Sequence, residues 1–146
     1  MKITNQIKSP NKFDVTELIT FLAKELNIKE IAQLTIAYNE ELLNKISNGD
    51  VTYQALLQNP TKDVYYLFVT KTKLGLNKIL CHEMVHLSQC DRGDLQLSND
   101  FRKITWKGKV FDNSKDYRNR EWEEEAFSLE NKLWRKFKKW KSSTTK

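Results

Sequence analysis

The hydrophobic pattern of the chain switches between strand-like and helix-like stretches. Ala32-Gln33-Leu34-Thr35-Ile36-Ala37-Tyr38 alternates as a strand does, and Asp63 to Thr70 is a stronger strand, rich in aromatic and β-branched residues. Between them, Val51 to Leu57 reads either as a short strand or as an irregular segment closed by Asn59-Pro60. From about Lys73 to Cys90 the pattern is helical, ending before the turn residues Asp91-Arg92-Gly93. Upstream, Asp14-Val15-Thr16-Glu17 sets a cap residue three positions before a Glu, the pairing that satisfies orphan N–H groups, so a helix is predicted from near Asp14 to near Asn27. Residues 94–118 read as loops around a short strand or hairpin at Ile104 to Phe111. A long helix follows from about Asn119 to Trp140, with Lys141 to Lys146 as a disordered polar tail. These elements predict one α+β domain over residues 1–140, with a small sheet from 32–38, 63–70 and 104–111 packed on the helix that ends at Cys90.

The length of 146 residues suits a single domain, and 39% hydrophobic with 30% charged residues excludes a low-complexity or membrane chain. Apolar runs such as Tyr65 to Val69 fall far short of the roughly 20 residues that span a bilayer. Met1 to Lys12 is polar, so no secretory signal is expected. The net charge of +6 is uneven: from Asn131 onward there are seven basic and no acidic residues, leaving 18 basic against 19 acidic over residues 1–130. Only the C-terminal helix therefore suggests an anionic partner, either weak nucleic-acid contact or simply a solvated helix face. Cys81 and Cys90 are the only cysteines. On one helix they lie about 13 Å apart on opposite faces, beyond disulfide reach, which points to free thiols and an intracellular, cytoplasmic protein.

The central helix contains His82-Glu83-Met84-Val85-His86, an HExxH motif built from the only two histidines in the chain. Four helical residues turn through about 400°, so both imidazoles leave one face and can bind one Zn²⁺, with Glu83 beside it as general base. A catalytic zinc needs a third protein ligand and an open fourth position. The extended metzincin pattern requires Gly and a ligand where this chain has Gln89 and Arg92, and deformylases take their cysteine from a separate upstream strand, whereas Cys81 directly precedes His82. A carboxylate of Glu121-Trp122-Glu123-Glu124-Glu125-Ala126 remains. At about 100° per residue, Trp122, Ala126, Leu129, Leu133, Phe137 and Trp140 form a buried stripe, which Phe127 and Trp134 widen. Glu123 and Glu130 fall inside this sector, Glu121 and Glu124 point away, and Glu125 lies just beyond its other edge. A carboxylate on a buried face needs a partner, and zinc is that partner for Glu123. Glu130, two turns on, either supports a ligand or sits at the rim.

HEMVH, then Trp106-Lys107-Gly108-Lys109, Tyr117 and Trp122-Glu123-Glu124-Glu125-Ala126, resembles the small gluzincin-type metallopeptidases of phage and bacterial genomes called SprT-like, over about residues 63–130. Their last helix typically carries Pro-Trp-Glu-x-Glu-Ala. The resemblance implies a zincin-like fold with zinc held by His82, His86 and a helix glutamate, the first after Trp being Glu123, and with Glu83 as general base. Glu121 stands where the family usually has Pro. Larger members append a nucleic-acid-binding module that is not read here, so the resemblance does not itself imply a DNA-linked substrate.

The function expected is zinc-dependent hydrolysis of peptide bonds in a protein or peptide substrate. Its rivals are a non-catalytic structural or binding protein with a structural zinc, closed by Cys90 as a fourth ligand, and a nucleic-acid-associated protease using the basic helix. Tyr117, Arg118 and Arg120 are either oxyanion donors or surface residues, and Trp106 and Gly108 either shape a cleft or serve hairpin packing.

Overall fold

Asp14 caps the first helix as its sequence predicts: its Oδ1 accepts from the Glu17 N–H at 2.9 Å. The computed structural model describes residues 1–47, 53–71, 75–98, 103–112 and 120–144. In chain order these form β1 (Lys2–Asn5), α1 (Val15–Glu25), β2 (Gln33–Tyr38), α2 (Glu40–Ile46), β3 (Ala55–Thr61), β4 (Val64–Val69), α3 (Leu76–Asp91), β5 (Leu95–Leu97), β6 (Lys103–Trp106), β7 (Lys109–Asp112) and α4 (Glu121–Thr144). The α+β class is as expected. No helix among the described residues is long and apolar enough to cross a membrane.

The main sheet has the order β1-β2-β4-β3, with β1, β2 and β4 parallel and β3 antiparallel to β4. Register places Leu34 beside Tyr65 and Ile36 beside Leu67, so alternate residues meet α1 and α3 in the core while Tyr66 turns outward. The ambiguous stretch before Pro60 is an edge strand. Pro60 is tolerated there because the ladder shifts register between Gln58 and Thr61, and the Asn59 side-chain amide donates to the Thr61 and Val64 carbonyls at 2.6 and 2.8 Å.

Three features depart from the sequence reading. The hairpin at 104–111 does not join the strands at 32–38 and 63–70; it forms a second sheet, β5-β6-β7, whose Leu95, Ile104 and Trp106 pack on Trp122. Lys107 and Gly108, with φ of +49° and +83°, make the two-residue turn of that hairpin, so Trp106-Lys107-Gly108-Lys109 is hairpin chemistry. β1, α2 and β5 were not expected, because each is short and carries few core residues; α2, capped by Asn39, buries only Leu43 and Ile46. Finally, α4 continues past Trp140 to Thr144, since Lys141 pairs with Glu17 of α1 at 2.8 Å, and the tail is helical up to that point.

Helix α4 lies along α3, reaches α1 through a Phe21–Phe137 edge contact, and meets the segment before α1 through Phe13–Trp134. Its first helical residue is Glu121, with the Glu124 N–H closing on the Arg120 carbonyl at 2.8 Å. At the far end of α3, the Asp91 carboxylate accepts from the backbone N–H groups of Lys29, Glu30 and Ile31 at 3.0, 2.7 and 3.1 Å. This clamp fixes α3 against the segment that enters β2. Asp91→Ala should lower unfolding free energy by about 2 kcal/mol, the scale of charge-assisted hydrogen bonds lost from a partly buried site. Urea denaturation checks this, and a change under about 0.5 kcal/mol would show the clamp to be dispensable.

Candidate metal centre

The packing of α4 against α3 brings together the residues that the sequence singled out. His82 and His86, one turn apart on the buried face of α3, meet Glu123 from the first turn of α4, and all three are under 9% exposed. Glu123 Oε1 stands 2.9 Å from His82 Nε2 and 2.8 Å from His86 Nε2, and the two nitrogens are 3.2 Å apart. The three residues lie close enough to hold a metal ion. In a tetrahedral zinc site with bonds of about 2.0–2.2 Å, ligand atoms stand roughly 3.3–3.5 Å apart, so this donor set fits zinc after side-chain shifts of a few tenths of an ångström.

The remaining ring nitrogens explain why the Nε2 atoms converge. His82 Nδ1 lies 2.8 Å from Glu130 Oε2, which makes Glu130 a supporting residue and not a rim group. His86 Nδ1 lies 2.9 Å from Gln89 Oε1. The orientation of that amide is fixed, because Gln89 Nε2 donates to the Trp122 carbonyl at 3.0 Å and to Glu125 Oε1 at 2.8 Å. Glu125 in turn accepts from Arg92 at 2.9 Å, and Arg92 donates to Asp94 at 2.7 Å. Both Nδ1 atoms are thus donors, and the Nε2 atoms are the ones free to face a cation, the arrangement that orients ligating histidines. Gln89 was missed by the sequence reading, which used it only against the metzincin pattern. Its signal is a polar residue one helical turn from His86, fully buried in α3.

In the metal-free protein protons do the work of a cation. Burial works against charge on His86, but the Glu123 carboxylate outweighs it and lifts His86 to about 9. Burial likewise opposes ionisation of Glu123, but His86 and His82 hold it at about 2. His82 is also raised, with burial opposed by its hydrogen bond to Glu123 and the charge of Glu83.

Glu83 is half-buried, and burial raises its carboxyl against the lowering pull of the two histidines. It lines a cavity of about 80 Å³ together with His86, Glu123, Trp122 and Tyr53. This is more than enough space to admit water. Tyr53, for which the sequence carried no signal, has its phenol raised by burial and by the charge of Glu123. The other candidates go elsewhere. Cys90 packs against the core, Glu121 accepts from the Trp106 indole at 2.7 Å, Glu124 is exposed, and Arg120 covers the Phe111 ring at 4.9 Å. Tyr117 and Arg118 lie outside the described residues. Both cysteines are free thiols on α3.

Glu123→Gln should weaken metal binding by more than Glu125→Gln, since Glu123 offers the anionic donor. Glu125→Gln acts only through Gln89 and should cost about tenfold, the lower end for residues that orient ligands. Competition against a chromophoric chelator checks both, and equal losses would overturn the assignment. The pH dependence follows from the same pair. Stability contributed by His86 to the metal-free protein is complete below its unfolded value of 6.5 and disappears as pH rises through about 9. That from Glu123 is present above 4.5 and lost as pH falls toward about 2. A metal must displace the His86 proton, so its apparent affinity should rise by about tenfold per pH unit per displaced proton between pH 6 and 9; a flat profile would contradict this. No protein-family model, curated protein or solved structure matches this chain.

Proposed function

We propose that the protein is a zinc-dependent metallopeptidase of the SprT-like type, hydrolysing peptide bonds in a protein substrate. The observation that carries this reading is the convergence of His82 Nε2, His86 Nε2 and Glu123 Oε1, each imidazole tied back through Nδ1, beside a cavity that Glu83 also lines. Bound zinc supplies Lewis acidity, polarising the substrate carbonyl and acidifying a water molecule. Glu83 would be the group that holds the proton released when water adds to the carbonyl carbon and that returns it to the leaving nitrogen as the C–N bond breaks. Burial raises the Glu83 carboxyl above the ordinary carboxylate value, the direction that favours holding a proton. His82 and His86 stay fixed by Glu130 and Gln89, and Glu123 provides the negative charge of the donor set.

A structural zinc takes four protein ligands. The described residues offer three, and Cys90 is not among them, which favours the catalytic reading. The basic face of α4 adds less support to a nucleic-acid role, since Lys136 and Lys141 pair with Glu25 and Glu17 of α1 and Lys138 lies over Trp134.

Glu83→Gln should lower hydrolysis of an unfolded protein such as casein by at least roughly 10²- to 10⁴-fold while leaving zinc content and thermal midpoint nearly unchanged. His82→Ala should lose zinc and stability together. Equal, measurable activity of wild type and Glu83→Gln would remove Glu83 from the mechanism.

A further inference from the structure

The lining of the cavity beside the triad carries two hydrogen-bond donors that the described residues leave unmatched. Trp122 is 1% exposed, and its indole N–H finds no acceptor among those residues. The neighbouring Trp106 indole shows the ordinary arrangement, donating to Glu121 at 2.7 Å. A buried donor without an acceptor carries a cost that a bound acceptor removes. Lys103, the first residue of β6, is the second donor. Its side chain is exposed and pairs with no carboxylate among the described residues, although Glu83 and Glu123 line the same space. A divalent cation at the triad balances the charges of Glu83 and Glu123. Lys103 then sets the sign of the remaining charge, which is positive.

We propose that the substrate carries a carboxylate, of an acidic side chain or of a chain terminus, which Lys103 and the Trp122 indole N–H hold in this cavity. This rests on the hydrolytic reading above and adds to it the residues that select the substrate. An ionised carboxylate only accepts hydrogen bonds, so it satisfies an ammonium and an N–H together, and bonds to a charged acceptor are the stronger kind. A lysine or arginine side chain in the same place meets Lys103 with like charge and brings the indole further donors in place of an acceptor. One donor comes from β6 and the other from α4, so the packing of the second sheet on Trp122 assembles the site.

The test uses full-length, zinc-loaded Glu83→Gln, so that binding is read without turnover, and short alanine-based peptides. Each carries Glu, Gln or Lys at one position in turn, with a free or an amidated C-terminus, and binding is followed by calorimetry. At one position, or at the free terminus, the carboxylate should bind at least about tenfold more tightly than its amide, an advantage that added salt reduces. An effect of side-chain position identifies an acidic residue as the source, and an effect of amidation identifies a chain terminus. Lys103→Glu, at an exposed position, should reverse the order in favour of the Lys peptide, and Lys103→Arg should keep it. The Trp122 indole N–H resonance should move on adding the preferred peptide and stay in place with its amide counterpart. Equal affinities across the series, no binding of any peptide, a carboxylate preference that survives Lys103→Glu, or an unmoved Trp122 resonance overturn the proposal. Carboxylate-selective binding without cleavage by the wild type would overturn the peptidase reading and keep the site. Cleavage without charge preference would keep the peptidase and overturn the site.

Discussion

Two imidazole nitrogens 3.2 Å apart, both aimed at one buried carboxylate oxygen, cannot all present lone pairs to one another. Some cation must lie among them, a proton or a metal, and much of the surrounding structure keeps that requirement in force. Glu130 and Gln89 hold the outer ring nitrogens as donors, so neither histidine can relieve the crowding by changing tautomer. All three groups are under 9% exposed, so bulk water competes little for them. Elevated basicity of His86 and depressed basicity of Glu123 are the metal-free expression of this constraint.

Keeping the three groups together requires α3 and α4 to pack in one register, and both sheets contribute to it. Asp91 anchors the end of α3 to the segment entering the main sheet. One residue later, Arg92 bridges Asp94 at the entry to the second sheet and Glu125 on α4, while its guanidinium covers Trp106 at 5.9 Å. The path from Arg92 through Glu125 and Gln89 to His86 joins a surface ion pair to a buried ring. Exposed salt bridges contribute little stability by themselves, and here the geometry imposed on Gln89 matters more than the energy of the pair.

The parts of this arrangement set by local spacing were legible in the sequence. HExxH fixes a common face at one turn, Asp14 and Glu17 mark a helix start, and helical phase separates Glu123 from Glu121 and Glu124 without knowledge of the fold. Phase also placed Glu130 correctly but undervalued Glu125, which lies off the buried stripe yet reaches the site through the Gln89 amide. What stayed hidden depends on long-range pairing. β1 and β5 are strands of four and three residues that exist because a neighbour supplies hydrogen bonds, and Tyr53 reaches the cavity only through the fold of the chain before β3. The split into two sheets was equally unreadable, since 104–111 has the alternation of a strand whichever sheet it joins.

X-ray absorption at the zinc edge of purified protein, paired with elemental analysis, tests the central claim most directly. The account predicts about one zinc per chain, with two imidazole nitrogens and a carboxylate oxygen at about 2.0–2.2 Å and a fourth light atom that exchanges with added small ligands. A sulfur scatterer at about 2.3 Å, a closed shell of four protein donors, or protein that holds no transition metal when prepared without chelators would contradict it.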